Sequence, residues 1–211
     1  MPDQTTEKIY YDPISVAQRT KQKLHVVNTQ DKREILLHVL KSYQDIHAVV
    51  ITKTKREADA LSVYLNAKEI ATVSLHGSKR AEQNETSAKA FESGEVSVLI
   101  TTDMILQSLT LSSISHLISY DLPNEPEYYL NRIVCLKEQG EAVTFVSEEE
   151  EVALLDIERV MRHEIPEEEI EGFVPTPASE VESQPVKDKK KKPRHRKKKR
   201  KLASKTDASE T

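Results

Sequence analysis

Between Asp121 and Val146 the stretch DLPNEPEYYLNRIVCLKEQGEAVTFV carries only two cationic side chains, Arg132 and Lys137. It reads as a turn, a short helix, a loop and a buried strand, a frame that could present cations to a phosphate. Arginine suits that task because its planar fork meets two oxygens at once, whereas lysine is a point charge. One of each makes a sparse phosphate grip. The simplest use of a single arginine here is an ion pair with a carboxylate such as Asp103.

The denser cationic chemistry lies near the end of the chain. Lys189, Lys190, Lys191, Lys192, Arg194, Arg196, Lys197, Lys198, Lys199, Arg200 and Lys201 follow one another with only Pro193 and His195 between them. Like charges repel and nothing apolar can be buried there, so this stretch is expected to be disordered. Its natural partner is RNA or a ribonucleoprotein. Neutralised phosphates release counterions, and affinity then falls with salt at a log–log slope of roughly −0.7 per contact on single strands. Lysine outnumbers arginine and no aromatic residue is interleaved, which favours backbone contact over base readout. The competing use is internal: residues 148–182 hold 13 acidic and 2 basic side chains, so the basic tail could fold back and neutralise them.

The rest of the composition limits the alternatives. The chain has 211 residues, 31% of them charged, and no Trp, which allows one modest core and a very polar remainder. No apolar run is long enough for a membrane span, and the first residues, MPDQTTEKIYYD, lack the apolar stretch of a secretory leader. The single Cys135 fits a reducing compartment, and the cytoplasm is the expected location. The acidic run Glu148–Glu151 has no obvious converging partners, so it reads as a solvated helix start and no metal site is expected.

Strands and helices alternate with short connections. KLHVVNT (23–29), HAVVIT (47–52), ATVSLHG (71–77), VSVLITT (96–102), SHLISYDLP (115–123) and EAVTFV (141–146) read as strands. Helices are expected over 31–44, with Asp31 as N-cap, and over 55–68, with Ala58, Leu61, Val63 and Leu65 toward one side. Further helices are expected over 82–94, closed by Gly94, over EPEYYLNRIV with Pro126 in its first turn, and over 148–165. The expected fold class is α/β, a doubly wound parallel sheet. In such a sheet, ligands meet the loops at the carboxyl ends of the strands. Four segments follow: an N-terminal extension (1–19), the α/β domain (20–166), an acidic Pro-containing linker (167–186) and the disordered Lys/Arg-rich tail (187–211).

Taken in order, several stretches resemble the second, RecA-like domain of DEAD-box ATP-dependent RNA helicases. AVVITKTKREADALSVYL resembles motif IV and its helix. SLHGSKRAEQNETSAKAFESGEVSVLITTD resembles the His-Gly loop through motif V. ISHLISYDLPNEPEYYLNRI resembles the approach to motif VI, and EAVTFVSEEEEVALLDIERVMRHEIP the closing strand and helix. The resemblance covers roughly residues 20–166, and the continuation IPEEEIEGFVPTP with its basic tail is most similar to the RhlE-type branch.

That resemblance implies RNA-backbone contacts at Thr52, His76, Gly77 and Thr102, with the basic tail adding affinity. It also implies losses. The family's motif VI resembles H-R-x-G-R-x-G-R, and its later arginines stabilise charge in phosphoryl transfer. Here Arg132 matches the first arginine, the later ones have no counterpart, and Lys137 supplies at most a point charge. In motif V, Thr102, Asp103 and Leu109 match, while Gln107, Ser108 and Thr110 replace the arginine, glycine and aspartate. Ala81 and Asn84 stand where the His-Gly loop usually continues with Gln and Arg, and Ile51 replaces the motif IV aromatic. The chain contains no G-x-x-x-x-G-K-[ST] and no Asp-Glu-Ala-Asp run. The expectation is a catalytically inactive, RNA-associated protein with no cofactor of its own. ATP would enter only if a separate helicase ATP-binding domain joined it as half of a split helicase. A protein–protein adaptor is the remaining alternative.

Overall fold

The computed structural model describes residues 12–109, 111, 114–136 and 140–174. Thr110, Lys137 and the Lys/Arg-rich stretch from Lys189 to Lys201 lie outside them. A helix, α1 (Pro13–Arg19), precedes the first strand, β1 (Lys21–Val26), and α2 (Lys32–Ser42) leads into β2 (Ala48–Ile51). Next come α3 (Lys55–Asn66), β3 (Thr72–Leu75), α4 (Ala81–Glu92) and β4 (Val98–Thr101). A short α5 (Asp103–Leu106), β5 (His116–Ser119), α6 (Pro126–Val134), β6 (Glu141–Val146) and α7 (Glu151–Met161) complete the order. The six strands form one sheet in the order β1-β6-β5-β2-β4-β3, and every pairing is parallel. This is the expected doubly wound architecture.

Alternation along the central strands sorts the core into two layers. Val49, Ile51, Leu99 and Leu117 pack with α1, Phe91 of α4, Leu106 of α5, and the buried faces of α6 and α7. Val50, Val98, Ile100 and Ile118 pack with Ile35, Leu36, Val39 and Leu40 of α2 and with Ala58, Leu61 and Leu65 of α3. Period-2 strands between period-3.6 helices require this division. It puts α2 and α3 on one face and the other helices on the opposite one. β2 therefore turns toward one face while its neighbours β5 and β4 turn toward the other, which opens a crevice at the carboxyl end of β2.

Several local expectations need correction. Val63 is 73% exposed. It lies two residues from Leu61, about 200° around a helix, so it cannot share that buried side. Asp31 occupies the N-cap position of α2, but its side chain makes no capping bond. α7 stops at Met161 because Arg162 adopts the left-handed conformation at φ 54°. Glu158 then accepts the Ile165 amide at 3.0 Å. The strand expected to end at Pro123 ends at Ser119.

Residues on both sides of the expected domain also belong to it. α1 packs against α6 and α7. Its Asp12 cap accepts amide hydrogens from Ile14 and Ser15. Past Pro166, where a free linker was expected, the chain docks on the edge of β1. Leu24 N donates to Pro166 O at 2.8 Å, and Glu168 N donates to Leu24 O at 2.8 Å. Ile170 and Phe173 then pack against the α2–α3 layer. An open edge strand exposes unpaired backbone groups, and this segment satisfies some of them.

Two glycines are fixed by geometry. Gly94 ends α4 at φ 76°, where a side chain would be strained. At Gly140 a Cβ would come within 2.7 Å of the Ser115 carbonyl oxygen and 2.6 Å of Leu136. Only glycine lets the chain pass there into β6.

Candidate nucleic-acid interface

The site is built at the carboxyl ends of the strands. Arg132 is fully buried, carried inward by α6. Its Nε donates to Asp103 Oδ1 at 2.6 Å and its Nη2 to Asp103 Oδ2 at 2.7 Å. Its Nη1 donates to the Asp121 carbonyl at 2.8 Å. One guanidinium thus ties the end of β4 to the end of β5 through a fork-to-fork contact. The ion pair read from the sequence is present.

A second cation closes the other side. Lys32, at the start of α2, is 4% exposed. Its Nζ donates to Tyr120 O at 3.0 Å, Asp121 Oδ1 at 3.3 Å and Glu150 Oε2 at 2.7 Å. Glu150 in turn accepts the Leu122 amide at 2.9 Å and the Ser147 amide at 3.0 Å. Burial pushes the Glu150 carboxyl up, but Lys32 and the two amides outweigh it and hold the group below its ordinary value. Asp121 Oδ2 accepts the Lys53 amide at 3.0 Å, which pins the turn after β2. Nothing in the local sequence marks Lys32, because its partners lie 88 to 118 residues away.

Two of the side chains expected on RNA face inward. Thr52 is fully buried, and its hydroxyl donates to Thr54 O at 3.1 Å. Both ring nitrogens of His76 are used internally. Nδ1 accepts the Ser78 amide at 3.3 Å, so Nε2 carries the proton and donates to Asp59 Oδ2 at 3.0 Å. Asp59 also accepts from Ser74 at 2.7 Å. Its partial burial raises the carboxyl pKa, but Ser74, His76 and nearby Lys79 more than compensate and lower it. These residues therefore shape the two turns. Gly77 is exposed with open space around its Cα, so backbone there is accessible. Thr102 is half-buried at the start of α5 without a side-chain cap bond, and Gln107 is exposed at the end of that helix.

Several cations face solvent at this edge, beside exposed carboxylates such as Glu34, Glu148 and Glu149. Lys53 projects from the β2–α3 turn, Lys55 and Arg56 from the first turn of α3, and Arg80 from the β3–α4 turn, all exposed. Thr54 caps α3 by accepting the Glu57 amide at 3.1 Å. The sequence signal was present in TKTKRE and GSKR, beside the very threonine and histidine singled out for contact. Among the described residues, no cluster of His, Cys, Asp or Glu is placed to hold a metal ion, and no helix is long and apolar enough to cross a membrane.

Comparison with known proteins agrees with this fold. Residues 31–136 match the family described as the helicase conserved C-terminal domain. The chain is 30% identical over 162 residues to the DEAD-box ATP-dependent RNA helicase RhpA of Helicobacter pylori, covering 75% of this chain and 33% of that protein. It is 36% identical over 113 residues to the ATP-dependent RNA helicase vasa of Drosophila melanogaster, covering 54% and 17%. A crystal structure of a DEAD-box protein from Methanococcus jannaschii superposes with a TM-score of 0.68 at 26% identity, over 72% of this chain and 43% of that one. The Escherichia coli DEAD-box protein SrmB, solved with the regulator of ribonuclease activity A, gives a TM-score of 0.67 at 22% identity over 72% and 91%, a likeness of fold. The chain spans about a third of the length of the Helicobacter helicase it matches.

Proposed function

Since this chain belongs to the helicase conserved C-terminal domain family, as found in DEAD-box RNA helicases, we propose that it holds RNA by its sugar–phosphate backbone and does not turn over ATP by itself. The observation that carries the reading is the fate of its cations. Arg132 is spent on Asp103 and Asp121, leaving no free guanidinium there for a transferring phosphoryl group. The exposed cations, Lys53, Lys55, Arg56 and Arg80, stand instead at the strand ends, where a polyanion can lie across them. The tail from Lys189 to Lys201 adds charge of the same kind. On this reading Gly77 and the nearby backbone position the strand, and the cations supply affinity. Cytoplasmic location, suggested by the single Cys135, belongs to the same proposal.

The test is direct. The full chain should bind mixed single-stranded RNA at low salt, lose most of that affinity when residues 187–205 are deleted, and show no RNA-stimulated ATP hydrolysis. Unchanged RNA affinity in the deletion, or robust ATP turnover by the purified chain, defeats the proposal.

A second reading takes support from coverage. The chain corresponds to a third of an RNA helicase, and a separate ATP-binding domain could supply the rest. Mixing the chain with such a domain and RNA decides it. A gain in ATP hydrolysis over that domain alone supports a split helicase, and no gain removes it.

A further inference from the structure

We propose that the cleft between the starts of α2 and α3 receives an unstacked nucleobase of the bound RNA strand, an inference that rests on the backbone-binding role above. The cleft has a volume of about 650 Å³, within the range of sites that hold small ligands. Its walls include Gln30, Arg33, Lys53, Glu57, Tyr64 and Tyr120. It opens beside the carboxyl end of β2, at the crevice where the winding of the sheet reverses.

Its chemistry argues against a phosphate and for a base. Lys32, Arg33 and Lys53 are matched by Glu34, Glu57 and Asp121 around the cavity. Lys32 is bound by three oxygens, and Arg33 lies 3.5 Å from Glu57. Lys53 Nζ donates to Asn124 at 2.7 Å. This lining is close to electrically balanced and offers little extra attraction for an anion. It does offer a half-buried tyrosine ring, Tyr64, with the Arg33 guanidinium carbon 5.8 Å from its centroid. Splayed bases stack on aromatic rings and guanidinium planes. Gln30, Thr29 and the carboxylates supply donors and acceptors for a base edge, which carries both. Lys53 belongs to the cleft and to the cationic rim alike. Lys55 and Arg56 directly follow the cleft residue Thr54, so a phosphate held by these two places its own base next to the cleft mouth.

The experiment compares two fluorescein-labelled single-stranded RNAs of one length, one complete and one with interior abasic sites, so that the phosphates are the same. The full chain should bind the abasic strand more weakly by roughly 5- to 160-fold, the range of one base–aromatic stack. Tyr64→Ala should bind both strands equally, near the abasic value, and Tyr64→Phe should keep the discrimination. Arg56→Glu should weaken both strands by the same factor. On the unaltered protein, thiouridine-substituted RNA should photocrosslink to the peptide containing Tyr64, a readout independent of whether the alanine variant folds well. Equal affinity of the unaltered chain for the two strands, or crosslinks confined to peptides away from the cleft, overturns the base site. Failure to bind either strand defeats the RNA-backbone reading instead.

Discussion

Arg132 and Asp103 meet through two parallel hydrogen bonds, 2.6 Å and 2.7 Å, at the junction of α6 with the end of β4. The arginine is fully buried and the Asp103 side chain 20% exposed. Such a pair is costly to break, because the surviving charge stays buried without its partner. Arg132→Ala should lower unfolding stability by roughly 3–5 kcal/mol. Arg132→Lys should recover only part of that, since an ammonium cannot make the fork. Urea melts check both. Combining Arg132→Met with Asp103→Leu should restore much of the loss, and a double variant no more stable than Arg132→Ala would show that the pair does something beyond mutual neutralisation.

Glu150 gives the fold an acid-sensitive joint. Its carboxyl is held below the ordinary value of 4.5 by Lys32 and two amides acting against burial. The unfolded chain then takes up this proton first as pH falls. The contribution of Glu150 is fully present above about pH 4.5 and is lost as pH drops through that value and on through the folded one. Glu150→Gln should be less stable at neutral pH by roughly 1–3 kcal/mol, because Lys32 loses its shortest ionic contact. It should also show a flatter acid limb in stability measured between pH 6 and pH 3. Parallel acid limbs for the two proteins would remove Glu150 from the joint.

The Lys32–Glu150 joint marks the boundary of what a sequence discloses. Parallel strands announce themselves as short β-branched runs, and β6 falls on the expected residues, Glu141–Val146. Gly94 and Pro126 punctuate their helices as backbone chemistry demands. Long-range partners leave no such local trace, and nothing in the sequence around Lys32 points to Tyr120, Asp121 or Glu150. The site shows the same limit in another form. The family resemblance implied that Thr52 and His76 touch a phosphate, but not that the Thr54 carbonyl and Asp59 would claim their polar atoms. Docking of 166–168 on β1 was hidden because backbone pairing across an edge needs no particular side-chain pattern.

Leu61 and Val63 separate burial from mere apolarity on α3. Leu61 is fully buried in the α2–α3 layer, and Val63 faces solvent. Leu61→Ala should cost roughly 2–5 kcal/mol, as buried leucines do when a cavity remains. Val63→Glu should stay within about 0.5 kcal/mol of the parent. Thermal melts of the two variants make the comparison, and a large loss at Val63 would mean that its side chain is packed rather than solvated.

Salt dependence can divide RNA binding between the rim and the tail. Phosphate contacts on a single strand each contribute roughly 0.7 to the slope of log affinity against log salt. Replacing Lys53, Lys55, Arg56 and Arg80 together by alanine should make the slope shallower by about 2 to 3 if all four meet phosphates. All four are exposed and none supports the core, so the fold should survive. The effect is best read in a chain lacking residues 187–205, where the tail cannot mask it. There the rim variant should lose nearly all remaining salt dependence. A slope unchanged by the four substitutions would put the strand elsewhere on the domain and leave the exposed cations as ordinary surface charge.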